Sequence, residues 1–397
     1  MSARDGGYGW VNVGVAATAH FVAFGLLLSF GVFFSEIQRE FGRGAGATAW
    51  VVSLEGALML GASGPAGLLA HRFGTRRVMA VGTVLVALGL LGTSRATTIW
   101  HVYLGYGIAV GLGNAMCIIP ALSSVGRWFE RRRGLAVGLS VAGSGIGSMV
   151  LAPLSRALIS AYGWRTAVVV MSAIAFGLLT AAATLVRGEV AGSHVPGVLR
   201  SLAGSRTFRL LYMSSVVGAF GYWVPFVFIV KYAEAQGVAP TRAALLVAVM
   251  GIGNTSGRIV MGAVADRVGR LRIIQVAAAG MATAVFLWPL AHSFATLSVF
   301  GIAFGLSAGA FIALLPTLTA DYFGVERLAA ATGAIFTAAA FGTLLGSPVS
   351  GFLVDRTGSY TTAIVLSATT LVLSGLALLP LPDPRATTAV DVAQAPR

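Results

Sequence analysis

The sequence contains few charged residues. Asp, Glu, Lys and Arg make up 10% of its 397 residues, whereas soluble domains carry about 25%. Hydrophobic residues make up 57% of the chain, and its mean hydropathy is +0.86. A single soluble core is therefore excluded, and the composition indicates a polytopic membrane protein.

The sequence also has only one cysteine and five histidines. Cys117 lies in an apolar segment, so neither an intrachain disulfide nor a cysteine–histidine metal cluster is available. A phosphate-binding glycine loop and a nucleophile–histidine–acid set are missing too, which argues against an enzyme and against a cofactor. The 27 basic residues outnumber the 13 acids. Because they fall mainly in short loops, membrane orientation explains them better than nucleic-acid binding.

Long apolar segments dominate what the sequence does contain. About 20 apolar residues suffice for a helix to span a bilayer. Twelve such segments are recognisable, at 11–34, 47–70, 77–95, 100–125, 134–158, 164–186, 209–231, 241–265, 271–291, 296–320, 328–354 and 360–380. The first is full length and further spans follow it, so we expect no cleavable signal peptide. The predicted fold class is an all-helical membrane protein with twelve transmembrane helices.

The distribution of arginine predicts the orientation of these helices. Most basic residues lie in the loops on the side of the N-terminus, which the positive-inside rule assigns to the cytoplasm. Both termini are therefore predicted to be cytoplasmic, in a cell inner membrane. The longest interior connection is rich in glycine and is interpreted as a linker. We expect a six-helix half at 1–186, the linker at 187–208, a second half at 209–380 and a tail at 381–397.

The two halves repeat at an offset of 195 residues. The loop 67–77 aligns with the loop 262–272 at this offset. Further pairs at the same offset are Arg132 and Arg327, Gly138 and Gly333, Gly147 and Gly342, Pro153 and Pro348, and Gly163 and Gly358. Several matches at one offset indicate a duplication. An even number of helices in each half makes the repeats parallel, as in transporters that alternate access around a midplane site.

Three motifs resemble known transporters. The segment 262–272 resembles the loop signature of the major facilitator superfamily, whereas the first copy has His71 in place of the expected aspartate. The opening hexapeptide at 5–10 resembles the Asp-Gly-Gly-x-Gly-Trp motif of the monocarboxylate transporter family. The segment 128–143 resembles that family's second signature. An interfacial aromatic belt would explain Trp10 but not the whole hexapeptide. The resemblance implies the major facilitator fold, with two pseudo-symmetric six-helix halves, and a bacterial member of the family.

One arginine lies inside a span. Arg258 is about eight residues from Asp266, hence roughly 12 Å from the end of its helix. A charge at this depth normally faces a protein interior or a water-filled cavity, and a fixed cation there suggests an anionic ligand. A guanidinium group offers a planar fork for a carboxylate. The resemblance implies that this arginine binds the substrate carboxylate. The alternative is a structural ion pair with Glu55.

Five further residues are candidates for contacts with the substrate. Asn254 lies one turn before Arg258 on the same helix face. Proton-coupled relatives carry an aspartate there, and mammalian relatives carry a lysine at the position of Leu28. Both departures make the expected cavity less charged and suit a carboxylate with a larger apolar body. The other candidates are Asn114, Cys117 and Tyr222, the last of which could stack on a substrate.

Two residues are candidates for proton coupling. Glu55 is the only acid deep in a span, about eight residues from the helix end, and a buried carboxyl group can hold a proton near neutral pH. It could replace the missing aspartate, or it could be a neutral packing residue. His20 lies in the middle of helix 1 and belongs to the residue type that titrates near neutrality. A lone helical histidine is more often a hydrogen-bonded packing residue.

The loops between helices 2 and 3 and between helices 8 and 9 are interpreted as gates. Charges in them could hold helix ends through charge–helix-end contacts. The candidates are Arg72, Arg76, Asp266, Arg267 and Arg270.

These observations predict a secondary transporter of small monocarboxylates such as lactate or pyruvate, coupled to protons. Carboxylate exchange of the oxalate/formate type is an alternative, since Asn254 removes the expected proton acceptor. A hydrophobic drug exporter and a non-transporting membrane sensor are weaker alternatives. The expected partners are a small monocarboxylate anion, a proton and the lipid bilayer, and the chain is expected to be a monomer without cofactors.

Overall fold

A computed structural model of the protein describes residues 7–129, 132–188, 198–324 and 327–384. In this part of the chain the regular secondary structure is entirely helical. The α-helices are α1 (Gly7–Phe41), α2 (Ala45–Gly61), α3 (Ser63–Phe73), α4 (Thr75–Ser94), α5 (Ile99–Val102), α6 (Gly111–Trp128), α7 (Arg133–Leu185), α8 (Val198–Gly204), α9 (Arg206–Ala235), α10 (Pro240–Val268), α11 (Arg270–Leu287), α12 (Phe294–Phe323), α13 (Leu328–Thr357) and α14 (Tyr360–Leu378). A π-helical segment, Tyr103–Val110, joins α5 to α6, and a 3₁₀ turn, Trp288–Leu290, follows α11.

All twelve predicted spans fall on helices of the described chain. Ten helices are long and apolar enough to cross a membrane, and the bent pair α2 and α3 makes eleven. The longest, α7, has 53 residues and contains two helices that meet at Gly163, where the backbone leaves the helical conformation. The predicted fold class of an all-helical polytopic membrane protein is confirmed.

Prolines lie both inside continuous helices and next to helix interruptions. Pro120, Pro153, Pro225, Pro316 and Pro348 all lie inside helices. A bend of 50° separates α2 from α3 at the single residue Ala62. Gly61 directly precedes Ala62, and Gly64 and Pro65 follow it in the first turn of α3, so the bend lies among residues that weaken a helix.

The duplication is visible in the backbone. Positive φ angles recur at glycines 195 residues apart, where turns end or begin helices. The pairs are Gly42 and Gly237, Gly74 and Gly269, and Gly163 and Gly358. Close helix packing recurs as well, because a Cβ atom on Gly147 would overlap the carbonyl of Phe21, and one on Gly342 would overlap that of Val216. The same offset therefore relates backbone geometry and packing.

The chain ends define one side of the bundle, here called the terminal side. The Tyr8 hydroxyl donates to the carbonyl of Leu185, and the Tyr322 hydroxyl donates to that of Pro382. The opposite side, here called the far side, holds the turns before α2, before α10 and after α13. Most of the predicted tail, and the residues Asp5 and Gly6 of the opening hexapeptide, lie outside the described residues.

The two halves are joined on the far side by an acid that caps a helix. The amides of Ala45 and Gly46, at the start of α2, donate to the two carboxylate oxygens of Asp355 near the end of α13, at 2.6 and 2.8 Å. The residue before α2, Gly44, has no side chain that could cap the helix. A carboxylate is favoured at a helix N-terminus by the free amides and the helix dipole. We call this contact the far-side clasp.

Other contacts close the same side. The Ser35 hydroxyl of α1 donates to Glu234 of α9 at 3.0 Å. The rings of Phe34 and Phe228 pack edge to face, with centroids 5.5 Å apart. A Cβ atom on Gly46 would overlap the ring of Phe352. The helices of the two halves therefore meet on the far side with glycine-mediated contact.

Candidate functional site

A narrow cavity lies between the two halves, with a volume of about 10 Å³, which is room for about one water molecule. Each half contributes two helices to its wall, α1 and α7 from the first and α9 and α10 from the second. The lining residues are Phe24, Leu28, Ser144, Gly145, Ser148, Tyr222, Trp223, Phe226, Gly251, Asn254 and Arg258. A site shared between the halves is reshaped whenever they move relative to each other.

Arg258 is the charged residue in this lining, and it is half-buried. Its Nε donates to Oδ1 of Asn254 at 3.0 Å, and its Nη1 donates to the carbonyl of Val141 on α7 at 3.2 Å. Its Nη2 has no hydrogen-bond partner among the described residues. Asn254 and Val141 thus hold the guanidinium in place, and Nη2 keeps its N–H donors unused. A carboxylate ligand can bind to such free donors.

Asn254 and Tyr222 stand beside the guanidinium. Asn254 is 7% exposed and uses its carbonyl oxygen on Arg258, so the oxygen fixes the position of the arginine. Tyr222 of α9 lines the same cavity as both residues. The sequence-predicted pair at i and i+4 therefore meets, and Tyr222 completes a polar corner of the cavity.

The rest of the wall is mainly apolar. Tyr222, Trp223 and Phe226 contact one another with ring centroids 5.1 to 5.9 Å apart. Leu28 and Phe24 of α1 face them across the cavity. Such a wall stabilises an apolar body attached to a carboxylate by removing its surface from water.

His20 lies next to the cavity but does not line it. It is 4% exposed, its Nδ1 donates to the carbonyl of Ala16 at 2.8 Å, and its ring stacks on Phe24. Arg258 is near enough to interact with it electrostatically. The structure therefore places His20 next to Phe24 and outside the cavity lining. Its role in proton coupling stays a prediction.

Two predicted substrate contacts lie elsewhere. Asn114 is fully buried, and its Nδ2 donates to Oε1 of Glu55 at 3.1 Å. Cys117 is also fully buried, with its thiol directed at the carbonyl of Met79 on α4. Both side chains lie outside the cavity lining in this conformation, because these faces of α6 turn towards α2 and α4. Their contact with the substrate stays a prediction. The alternative ion pair between Arg258 and Glu55 is likewise not formed, since Glu55 pairs with Asn114.

The predicted gating residues lie at the terminal side. Arg72 and Arg76 are exposed, and the guanidinium of Arg72 stands 5.3 Å from the centroid of the Phe73 ring. Arg270 forms an ion pair with Asp321, which joins the start of α11 to the end of α12. Arg267 is exposed, and the side chain of Asp266 lies outside the described part. The gating role of these loops stays a prediction.

Some lining residues were not predicted from the sequence. Ser144 and Ser148 stand one turn apart on α7, opposite Gly251 of α10. Their i, i+4 spacing puts them on one face of α7, and this pattern could have indicated a wall of the cavity. Serine in a glycine-rich helix is equally typical of close helix packing, so the pattern did not distinguish the two. For Phe24, nothing in the sequence distinguishes a residue of the cavity wall from a residue of the hydrophobic core.

Comparisons with known proteins agree with this geometry. The sequence model of the Major Facilitator Superfamily matches residues 16–207 and 211–397. The chain is 35% identical over 389 residues to human monocarboxylate transporter 11, covering 94% of this chain and 82% of the relative. It is 33% identical to rat monocarboxylate transporter 13, covering 95% of this chain and 90% of the relative.

A solved structure shares the fold. It is a bacterial homolog of the human lysosomal transporter Spinster, in an inward-facing and unoccupied conformation. The TM-score is 0.72, the sequence identity is 14%, and the alignment covers 94% of this chain and 96% of that chain.

Proposed function

Because the chain belongs to the monocarboxylate transporter family of the major facilitator superfamily, and is a transporter rather than an enzyme, we propose that it carries small monocarboxylates across the membrane by alternating access. One observation carries the proposal. Arg258 points unused guanidinium donors into a cavity that both halves line. The single positive charge of Arg258 in this cavity matches the single negative charge of a monocarboxylate.

Binding uses the orientation of Arg258. Asn254 holds Nε and the Val141 carbonyl holds one proton of Nη1, so the fork does not have to be ordered when the substrate arrives. The carboxylate accepts from Nη1 and Nη2, in the bidentate geometry that guanidinium favours. Because the contact to Val141 reaches from α10 to α7, a substrate that binds at the fork also engages the interface between the halves.

The far-side clasp supports a cycle of alternating access. Asp355 and the aromatic contacts join the two halves on the far side. We therefore propose that the cavity exchanges with solution from the terminal side in this conformation. Following the positive-inside rule, we assign the terminal side to the cytoplasm of a cell with an inner membrane. A monomer suffices, because a single chain supplies the whole lining.

The coupling mode has two candidates. Asn254 cannot take up a proton, so the arginine site by itself supports carboxylate exchange. Proton symport requires a separate proton site. Drug export is less well supported, because the cavity presents a cation and no carboxylate in its lining. A sensor without transport activity would not need a clasp between the halves.

An uptake panel in proteoliposomes tests the proposal. We expect saturable uptake of labelled lactate or pyruvate, with competition by other monocarboxylates including those with larger apolar bodies. The corresponding amides and methyl esters are the matched controls, and they should not compete because they cannot engage a charged fork. If uptake is not saturable, or if amides compete as well as acids, the proposed function is wrong.

Asn254→Ala should weaken binding without abolishing transport. The substitution removes the acceptor of the Arg258 Nε proton, a loss of about 1 kcal/mol for a typical hydrogen bond. We expect KM for lactate to rise roughly 3- to 10-fold with kcat less affected. Ser256→Ala on the same helix is the matched control, because Ser256 does not line the cavity. An unchanged KM would show that Asn254 does not orient Arg258.

A further inference from the structure

A buried acid and a buried amide face each other in the first half, outside the cavity. Glu55 of α2 and Asn114 of α6 are both 0% exposed. The amide nitrogen of Asn114 donates to Oε1 of Glu55 at 3.1 Å. Two atoms of the same pair, Oε2 of Glu55 and Oδ1 of Asn114, are buried with no hydrogen-bond partner. Buried polar atoms are nearly always paired, so these two require an explanation.

One proton accounts for both unpaired atoms. If Oε2 carries a proton, it becomes a donor, and Oδ1 of Asn114 is an acceptor on the same partner. The acid and the amide then form a cyclic pair with two hydrogen bonds, one in each direction. If Glu55 were ionised instead, both atoms would remain acceptors with no donor between them. A buried charge would also stand without a cation, which is strongly unfavourable.

Among the described residues, no cation is found beside Glu55. The elements around it are α1, the π-helical segment, α6 and α13. Among the described residues, the titratable group that interacts with Glu55 is Tyr106. Its hydroxyl already donates to the carbonyl of Leu26 at 2.8 Å, so it does not supply a hydrogen bond to the acid. Only a proton neutralises Glu55 in this setting.

The position of Glu55 connects it with the closure of the far side. Its neighbour Gly56 packs against Thr343 of α13 so closely that a Cβ atom would lie 2.9 Å from the threonine methyl carbon. The N-terminus of the same helix is held by Asp355. If the halves separate on the far side during the transport cycle, α2 leaves α13 and water can reach the helix next to Glu55. In the present conformation the pair is sealed.

We propose that Glu55 and Asn114 form a proton-binding site of the transporter, separate from Arg258. A hydronium ion gives its proton to Oε2 of Glu55 while the far side is open and leaves as water, and the neutral acid–amide pair then permits α2 to close on α13. The role of this site in transport rests on the proposed function. The protonation state itself does not depend on that function.

Infrared difference spectroscopy tests the protonation state directly. We expect purified wild-type protein at neutral pH to show the carbonyl stretch of a protonated carboxylic acid, and Glu55→Gln to lack it. In Asn114→Leu the same band should shift to higher wavenumber, because the acid loses its partner. If Glu55→Gln fails to fold, the band shift in Asn114→Leu still identifies Glu55 as the protonated acid. A wild-type spectrum without such a band would overturn the proposal.

Transport assays test the coupling. A one-to-one proton symporter accumulates substrate up to about tenfold per unit of pH gradient. Glu55→Gln mimics the protonated pair, so we expect counterflow within about twofold of wild type but no accumulation driven by the gradient. Glu40→Gln, an acid near the end of α1 that pairs with Arg165 at 2.9 Å, is the control that should keep accumulation.

The outcomes separate this inference from the proposed function. Accumulation by Glu55→Gln at the wild-type level would overturn the proton site while leaving carboxylate transport intact. Wild-type protein that performs counterflow but never accumulates substrate would also overturn it. Absence of any carboxylate counterflow in wild type would instead contradict the proposed function, and the infrared result would still decide whether the pair holds a proton.

Discussion

Arg258→Lys will lower kcat/KM for lactate uptake roughly 10- to 150-fold while the protein remains folded. Lysine keeps the positive charge but loses the planar fork and the Nε contact to Asn254. The loss of one charge-assisted hydrogen bond corresponds to about 1.5–3 kcal/mol, which gives that range. Uptake by purified protein in proteoliposomes, corrected for the amount reconstituted, measures the effect.

The control for this variant is Arg242→Lys. Arg242 lies near the other end of α10 and is exposed, so the same chemical change there should leave uptake unchanged. Thermal unfolding of both variants in detergent establishes that they are folded. Full activity of Arg258→Lys would show that the bidentate fork is irrelevant to the substrate, and the proposed binding geometry would have to be abandoned.

Asp355→Ala will shift the protein towards a conformation open on the far side. The substitution removes two hydrogen bonds between a carboxylate and the amides of Ala45 and Gly46. Each such bond is worth about 1.5–3 kcal/mol when the acceptor is charged, and water partly replaces them in the open state. We expect the open population to rise roughly 10- to 100-fold.

The labelling rate of a single cysteine measures this shift. Thr343 is 2% exposed and packs against Gly56, so a cysteine there reacts with a polar maleimide only when α2 and α13 separate. The chain has one native cysteine, and Cys117→Ser removes it. Labelling in detergent avoids any dependence on orientation in a vesicle.

Two further variants calibrate the clasp. Asp355→Asn keeps one carbonyl acceptor and should lie between wild type and Asp355→Ala. Arg356→Ala alters the exposed neighbouring residue and should label at the wild-type rate. If Asp355→Ala also labels at the wild-type rate, then the clasp does not hold the far side closed.

The sequence predicted the features that depend on local pattern. Span positions follow from apolar length, because a helix of about 20 apolar residues crosses the bilayer with its own backbone hydrogen bonds satisfied. The meeting of Asn254 and Arg258 follows from the i, i+4 geometry of a single helix. The backbone repeat follows from glycines at a constant offset, which the positive φ angles reproduce.

Features that depend on pairing between distant helices were not predictable in this way. The clasp joins residues that are 309 and 310 positions apart, and no local pattern marks Asp355 as a cap for α2. Asn114 and Cys117 were placed in the cavity because a span's sequence does not reveal which of its faces meets the partner half. For the same reason, the hydrogen bond between Glu55 and Asn114 was not predicted, and Ser144 and Ser148 were not recognised as residues of the cavity wall.

Counterflow of a monocarboxylate tests the central claim most directly. Proteoliposomes with wild-type protein are loaded with unlabelled pyruvate, with no pH gradient, and diluted into labelled lactate. Alternating access around Arg258 predicts a transient overshoot of labelled lactate that depends on internal pyruvate and is strongly reduced in Arg258→Lys. Lactate entry that is the same with and without internal pyruvate would contradict the claim.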